Sequence, residues 1–223
     1  RSGMFRFTYP KSEQAFIMID MNHTLWQSCE WSNLRMENDS TLTGYKLVKG
    51  WGPERHVYFT AVFSKKLKNL RFMQDKKPVI YNTSRFRSCY EAWGKNLMAC
   101  ISFEAAEGEE IIVKTAVSAV STAGATLNLQ ELNGMTFDSL REKGVSLWEQ
   151  ELAKYQIEAE PEVKEAFYTA AYRAALHPFV FQDADRQFRG LDKNIEKAEG
   201  FTNYTVFSLW DTYRALHPWF NLV

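Results

Sequence analysis

The sequence predicts two unlike halves: an antiparallel β-sandwich over residues 1–131 and helical structure from Leu132 onward. Two observations predict it. Through residues 1–131, short apolar runs recur every 8–15 residues or so with Gly, Asn, Asp and Lys between them, the rhythm of an antiparallel sandwich. Beyond Leu132, large apolar residues return at helical spacing among Glu and Lys. An apolar content of 45% in 223 residues is ample for a sizeable core. The 27 basic and 27 acidic residues leave no net field, and no basic stripe is present, which argues against nucleic acid as a partner. No apolar run approaches the roughly 20 residues of a membrane span. The opening Arg1-Ser2-Gly3-Met4 passes directly into strand-like sequence without a signal peptide, so the chain reads as a fragment.

The strands follow in order. Phe5–Tyr9 alternates, Phe16–Asp20 is a short apolar run, and Thr41–Lys49 follows a polar turn at Glu37–Ser40. His56–Ser64, Leu70–Met73, Val79–Tyr81 and Leu97–Glu104 continue the pattern, and Glu110–Ser121 is the clearest strand because β-branched residues dominate it. Trp51–Arg55 is a turn by its Gly-Pro content, which makes Glu54 and Arg55 turn-surface charges. No strand is followed by a Gly-rich phosphate loop.

Residues 132–159 read as a helical linker that packs. Phe137, Leu140, Leu147, Trp148 and Leu152 share a helical rhythm, and Gly144 weakens its middle by about 1 kcal/mol, which predicts two shorter helices or a kink. From residue 160 a firmer helix begins. Pro161 suits the first helical position, Glu160, Glu162 and Glu165 complement the positive end of the dipole, and Pro178 ends it. Val163, Phe167, Ala170, Ala171 and Ala174 give it a narrow face. Gln182–Gly200 reads as a polar surface loop, with Asp183, Asp185 and Asp192 as solvated charges that lack the glycine-punctuated spacing of a calcium loop. An internal echo links Tyr172–Phe179 to Tyr213–Trp219, as in a repeated helical hairpin.

The stretch Tyr204–Pro218 carries the densest information. As one helix, at about 100° per residue, it places Phe207, Trp210, Asp211 and Arg214 in one arc, with Val206, Leu209, Tyr213 and Leu216 in a second, apolar one. Alternatively Tyr204–Trp210 runs extended and Asp211 caps a helix from Thr212. Both geometries bury Trp210 beside a carboxylate. Such an acid must be paired, with Arg214, or used on a ligand. His177 and His217 each precede a proline and read as helix-end residues, where a partly protonated imidazole gains about 0.3–1 kcal/mol. Cys29, Cys89 and Cys100 lack metal-ligand spacing, leaving one disulfide or three small hydrophobes, and the four histidines offer no zinc site.

Tyr204-Thr-Val-Phe-Ser-Leu-Trp-Asp-Thr-Tyr-Arg-Ala-Leu-His-Pro218 resembles the hallmark of glycoside hydrolase family 92. Phe167–Pro178, Phe188-Arg-Gly-Leu-Asp192 and Gly52–Ala61 reinforce the resemblance, which spans essentially the whole chain. It implies a calcium-dependent, exo-acting, inverting α-mannosidase of the kind common in gut Bacteroidetes. The implied fold is an N-terminal β-sandwich, a helical linker and an (α/α)₆ barrel, of which residues 160–223 would be the beginning. Trp210 and Asp211 would line the sugar pocket, with Arg214 holding the carboxylate. The general acid, general base and most calcium ligands would lie beyond Val223, so no catalytic or metal-binding residue is assigned within the chain. Mannose-containing glycans are the implied substrate, a monomer the implied state, and the periplasm or exterior the implied location. The rival reading is a non-catalytic carbohydrate-binding sandwich.

Overall fold

The computed structural model describes residues 1–67, 69–80 and 90–223. Its first half is a sandwich of two antiparallel sheets. The larger contains β1 (Ser2–Tyr9), β3 (Ser28–Asn38), β4 (Thr41–Lys49), β5 (Arg55–Phe63), β8 (Glu91–Gly94) and β10 (Glu109–Ser118), in the spatial order β1-β10-β5-β4-β3-β8. The smaller contains β2 (Ser12–Asp20), β6 (Asn69–Gln74), β7 (Lys77–Pro78) and β9 (Leu97–Ala105), ordered β2-β9-β6-β7. Inward-facing residues alternate along both sheets and meet in one core, where Leu34, Leu42 and Ile111 of one sheet face Leu97, Ile101 and Phe72 of the other.

Most strands read from the sequence are present. β3, β7 and β8 are additions, β3 is the longest strand of the sandwich, and Val79 and Ile80 of the run expected at Val79–Tyr81 lie just past β7 rather than in a strand. Tyr81 of that run and Cys89 lie outside the described residues. Cys29 and Cys100 are free.

Helical structure starts before the composition changes. β10 ends at Ser118, and the Ser121 hydroxyl accepts from the Gly124 amide at 3.0 Å to cap α1 (Thr122–Asn128). A 3₁₀ turn, Leu129–Leu132, follows. α1 lies on the outer face of the larger sheet, where Thr126 and Thr60 share a hydroxyl hydrogen bond of 2.8 Å.

α2 (Phe137–Leu152) runs as one helix through Gly144 rather than as two. A capping box between Thr136 and Ser139 starts it, and the cost of one interior glycine is small beside the side-chain contacts at both ends. At its start Arg6 of β1 lies 4.3 Å from the Phe137 ring centroid and 3.1 Å from Asp138. Towards its end Trp148 meets Tyr172 of α3 (Pro161–Ala175) edge to face at 4.5 Å. The expected helix from Pro161 is therefore present, with that proline at its first turn.

The segment after α3 is more structured than a solvated loop. β11 (Gln187–Arg189) pairs with β12 (Ile195–Lys197). Arg189 reaches back to the sandwich, donating from Nε to the Ala119 carbonyl at 2.9 Å and from Nη2 to that of Val120 at 3.3 Å. The chain then passes through α4 (Leu209–Thr212) and α5 (Leu216–Phe220).

Candidate functional site

The Tyr204–Pro218 stretch adopts neither geometry anticipated for it. Tyr204 forms an antiparallel bridge with Val180, Ser208 flanks α4, and Asp211 sits inside that four-residue helix rather than capping the next one. The helix stops at Tyr213 and restarts at Leu216. Pro218 explains the break. In a continuous helix it would leave the Arg214 carbonyl without a donor and clash with it, whereas in the first turn of α5 its missing N–H costs nothing.

One side of the stretch is anchored and the other faces solvent. Phe207 lies between His177 and His217, with ring centroids 5.4 and 5.2 Å away and edge-to-face geometry. His177 Nε2 is 3.2 Å from the Val206 carbonyl oxygen, and His217 Nε2 is 2.8 Å from the Thr212 hydroxyl. Trp219 packs 5.1 Å from Tyr155 and 6.2 Å from Phe167, tying α5 to the linker. The two histidines hold neighbouring segments together, but not as helix ends. His177 lies past the C-cap Leu176, and His217 is inside α5 with Pro218 still helical after it.

The residues singled out for chemistry are on the open side. Trp210 is 87% exposed, and Asp211 and Arg214 are exposed as well. The expected burial of Trp210 is thus reversed, because the anchoring contacts use Phe207, Thr212, His217 and Trp219, and no described element packs over Leu209, Trp210 or Tyr213. The expected Asp211–Arg214 ion pair is also absent among the described residues. The break at Tyr213 removes the helical register that would have brought them together. A flat indole beside an uncommitted carboxylate remains, able to offer an apolar wall and charged hydrogen-bond acceptors to one ligand.

Asp183 corrects a second expectation. It is 3% exposed, not solvated. Its Oδ2 accepts from the Ser118 hydroxyl at 2.6 Å and its Oδ1 from the Asn128 amide at 2.8 Å. Nothing in the local sequence of a polar loop signals partners 55 and 65 positions away. Asp185 and Asp192 are committed locally, accepting from the amides of Gln187 and Asn194, each at 3.0 Å. The donor set therefore does not fit a cation: these carboxylates are satisfied by protein donors, and no group of His, Cys, Asp or Glu suited to a metal ion occurs among the described residues.

A cleft of about 230 Å³ lies where the sandwich meets the later segment, lined by His56, Val117, Val120, Phe181 and Asp183 among others. Burial holds the His56 imidazole below its usual range, and the nearby Arg189 charge acts in the same direction. Its Nδ1 lies 3.0 Å from the Tyr45 hydroxyl, whose own pKa burial raises.

Comparison with known proteins resolves the class. A model of the glycosyl hydrolase family 92 N-terminal domain matches residues 1–118, and one of the family 92 catalytic domain matches residues 124–223. The sandwich and the helices clamped to it thus match two domains of one glycosyl hydrolase family. The chain belongs to family 92. It is 80% identical to the family GH92 α-mannosidase BT3965 from Bacteroides thetaiotaomicron, with a TM-score of 0.95, covering 99% of this chain and 30% of that one. A second structure of that enzyme, in complex with mannoimidazole, matches at the same identity and TM-score and is covered over 29% of its length. The GH92 family glycosyl hydrolase ccman5 is 25% identical with a TM-score of 0.81, covering 95% of this chain and 28% of that one. No curated protein sequence matches. The chain spans less than a third of the length of each of these solved structures.

Proposed function

We propose that this chain supplies the sandwich and first helices of an exo-acting α-mannosidase that releases terminal α-linked mannose from glycans with inversion. The observation that carries the proposal is the 80% identity, over 99% of this chain, to an α-mannosidase of which one structure holds mannoimidazole. In this reading Trp210 gives the sugar an apolar wall and Asp211 accepts from its hydroxyls.

Inversion requires a carboxylic acid at the leaving oxygen and a second carboxylate activating water on the opposite face. Asp211 does not fill both roles, so we assign it to binding and place the acid and base outside these residues. Calcium assistance belongs to the same proposal, and its ligands likewise lie outside the chain. A periplasmic or extracellular location and a monomeric state rest on the family resemblance. No described helix is long and apolar enough to cross a membrane.

Hydrolysis of an aryl α-mannoside, measured with calcium and with chelator, tests the reading on a longer protein containing this chain and on residues 1–223 alone. Turnover is expected from the longer protein only. Inactivity of the longer protein on every α-mannoside, with binding retained, would favour the carbohydrate-binding reading. Chelator-sensitive turnover by residues 1–223 would overturn the placement of the acid and base.

A further inference from the structure

We propose that Asp183 is a positioning residue for the sugar pocket, fixing to the sandwich the two-stranded ribbon that delivers Trp210 and Asp211. The inference rests on the pocket assignment above.

Asp183 is 3% exposed, and no cation pairs with it among the described residues. A buried acid persists in that setting only where hydrogen bonds replace its hydration. Ser118 at the end of β10 and Asn128 at the end of α1 provide them, at 2.6 and 2.8 Å. Asn128 is itself fully buried, donates also to the Val117 carbonyl at 2.9 Å, and accepts from the Ala184 amide at 2.7 Å. Three chain segments therefore converge on one satisfied polar cluster.

The cluster demands a carboxylate rather than an amide. Ser118 Oγ already accepts from the Val120 and Ser121 amides, at 2.9 and 3.2 Å, so both its lone pairs are engaged. The Asn128 Nδ2 group also points at Asp183 as a donor. An Asn side chain at position 183 would turn its own NH₂ towards a filled acceptor or another donor. Space is equally restricted, since a Cβ on Gly124 would fall 2.1 Å from Asp183 Oδ2.

From this anchor a ribbon of hydrogen bonds leads to the pocket residues. Phe181 N donates to the Asn203 carbonyl at 2.8 Å, and Thr205 N donates to the Phe179 carbonyl at 3.0 Å. The Asn203 amide and side chain add bonds of 2.7 Å to Gln182 Oε1 and the Phe181 carbonyl. Val206, the next residue, is held by His177 at 3.2 Å, and α4 with Trp210 and Asp211 follows at Leu209. α4 is four residues long, so its placement depends on this ribbon at its start and on the Thr212–His217 bond and the Trp219 packing at its end. Displacements of about 1 Å in residues that orient a substrate cost as much as 100-fold in rate.

The test uses Asp183→Asn and the milder Ser118→Ala in the longer protein, below the melting temperature of each variant. KM for an aryl α-mannoside and the dissociation constant for mannoimidazole are compared with wild type. We expect both constants to rise at least tenfold in Asp183→Asn and to a smaller, parallel extent in Ser118→Ala. Unchanged constants in a folded variant whose melting temperature alone falls would overturn the inference and leave the function reading intact. Should Asp183→Asn fail to fold, unchanged constants in Ser118→Ala would overturn it in the same way. A wild-type protein that neither hydrolyses α-mannosides nor binds mannoimidazole would instead remove the function reading, and this inference with it.

Discussion

Lys193 Nζ lies 2.7 Å from Glu54 Oε2, joining two segments 139 positions apart in sequence. Glu54 belongs to Gly52–Ala61 and Lys193 directly follows Phe188–Asp192, so two of the stretches that carry the family resemblance meet in space. Arg189 extends the same contact to Ala119 and Val120. The hydrogen bond from Lys193, with its charge, lowers the Glu54 pKa.

That depressed value fixes the sign of a pH effect. The unfolded chain binds a proton at Glu54 more readily than the folded one, so the pair's stabilisation is complete above the unfolded-state value of about 4.3. It is lost as pH falls through the lower folded-state value. Melting curves of wild type and Glu54→Gln should differ slightly at neutral pH and converge in acid. Added salt should shrink the difference, since both side chains are exposed. A difference that widens in acid would contradict the assignment.

Asp211→Asn keeps shape and removes charge. In the longer enzyme it should weaken transition-state binding by about 1.5–3 kcal/mol, the range for hydrogen bonds to charged groups. The melting temperature of residues 1–223 should not move, because in this chain Asp211 is exposed and makes no ion pair among the described residues. Trp210→Ala should raise KM with equally little effect on the melting of residues 1–223. Arg214→Lys should stay within about 0.5 kcal/mol of wild-type stability, as an exposed substitution away from any pair does. Kinetics and calorimetry on the same preparations check all three, and collapse of stability in Asp211→Asn would make that residue structural.

His177→Gln and His217→Gln should each cost about 0.5–1.5 kcal/mol, the worth of a typical hydrogen bond. Each also loses its edge-to-face contact with Phe207. Turnover should fall less than stability. A 100-fold rate loss at unchanged melting temperature would place either imidazole in the chemistry instead.

Gly124→Ala should destabilise, although alanine is the better helix former by about 1 kcal/mol. The added methyl would meet Asp183 Oδ2 at 2.1 Å and Ser118 Oγ at 2.9 Å. Overpacking of this kind costs about 1–3 kcal/mol, enough to reverse the propensity gain. Denaturant unfolding would show it, and a stabilised variant would mean that the cluster can open.

Legibility in the sequence followed the range of the interactions involved. β4, β5, β9 and β10 were readable because β-branched and aromatic residues alternate within each run. β3 was not, since Ser32 and Asn33 interrupt its apolar pattern. Both are buried there, satisfied by the carbonyls of Gly94 and Ala92, partners that only the folded sheet supplies. The Trp210–Asp211 dipeptide was conspicuous, but its burial was inferred from an arc that Pro218 does not permit. Asp183 looked like any loop carboxylate because the donors defining its role come from β10 and α1.

The openness of Trp210 also gives the molecule an optical property. Trp210, Trp26 and Trp51 are 87%, 96% and 90% exposed, whereas Trp148 and Trp219 pack against neighbouring rings. Indoles in the first group are open to a collisional quencher such as iodide. A sugar resting on Trp210 would shield that ring and leave Trp26 and Trp51 accessible. Occupancy could then be followed in solution from the chain's own fluorescence, without any attached dye.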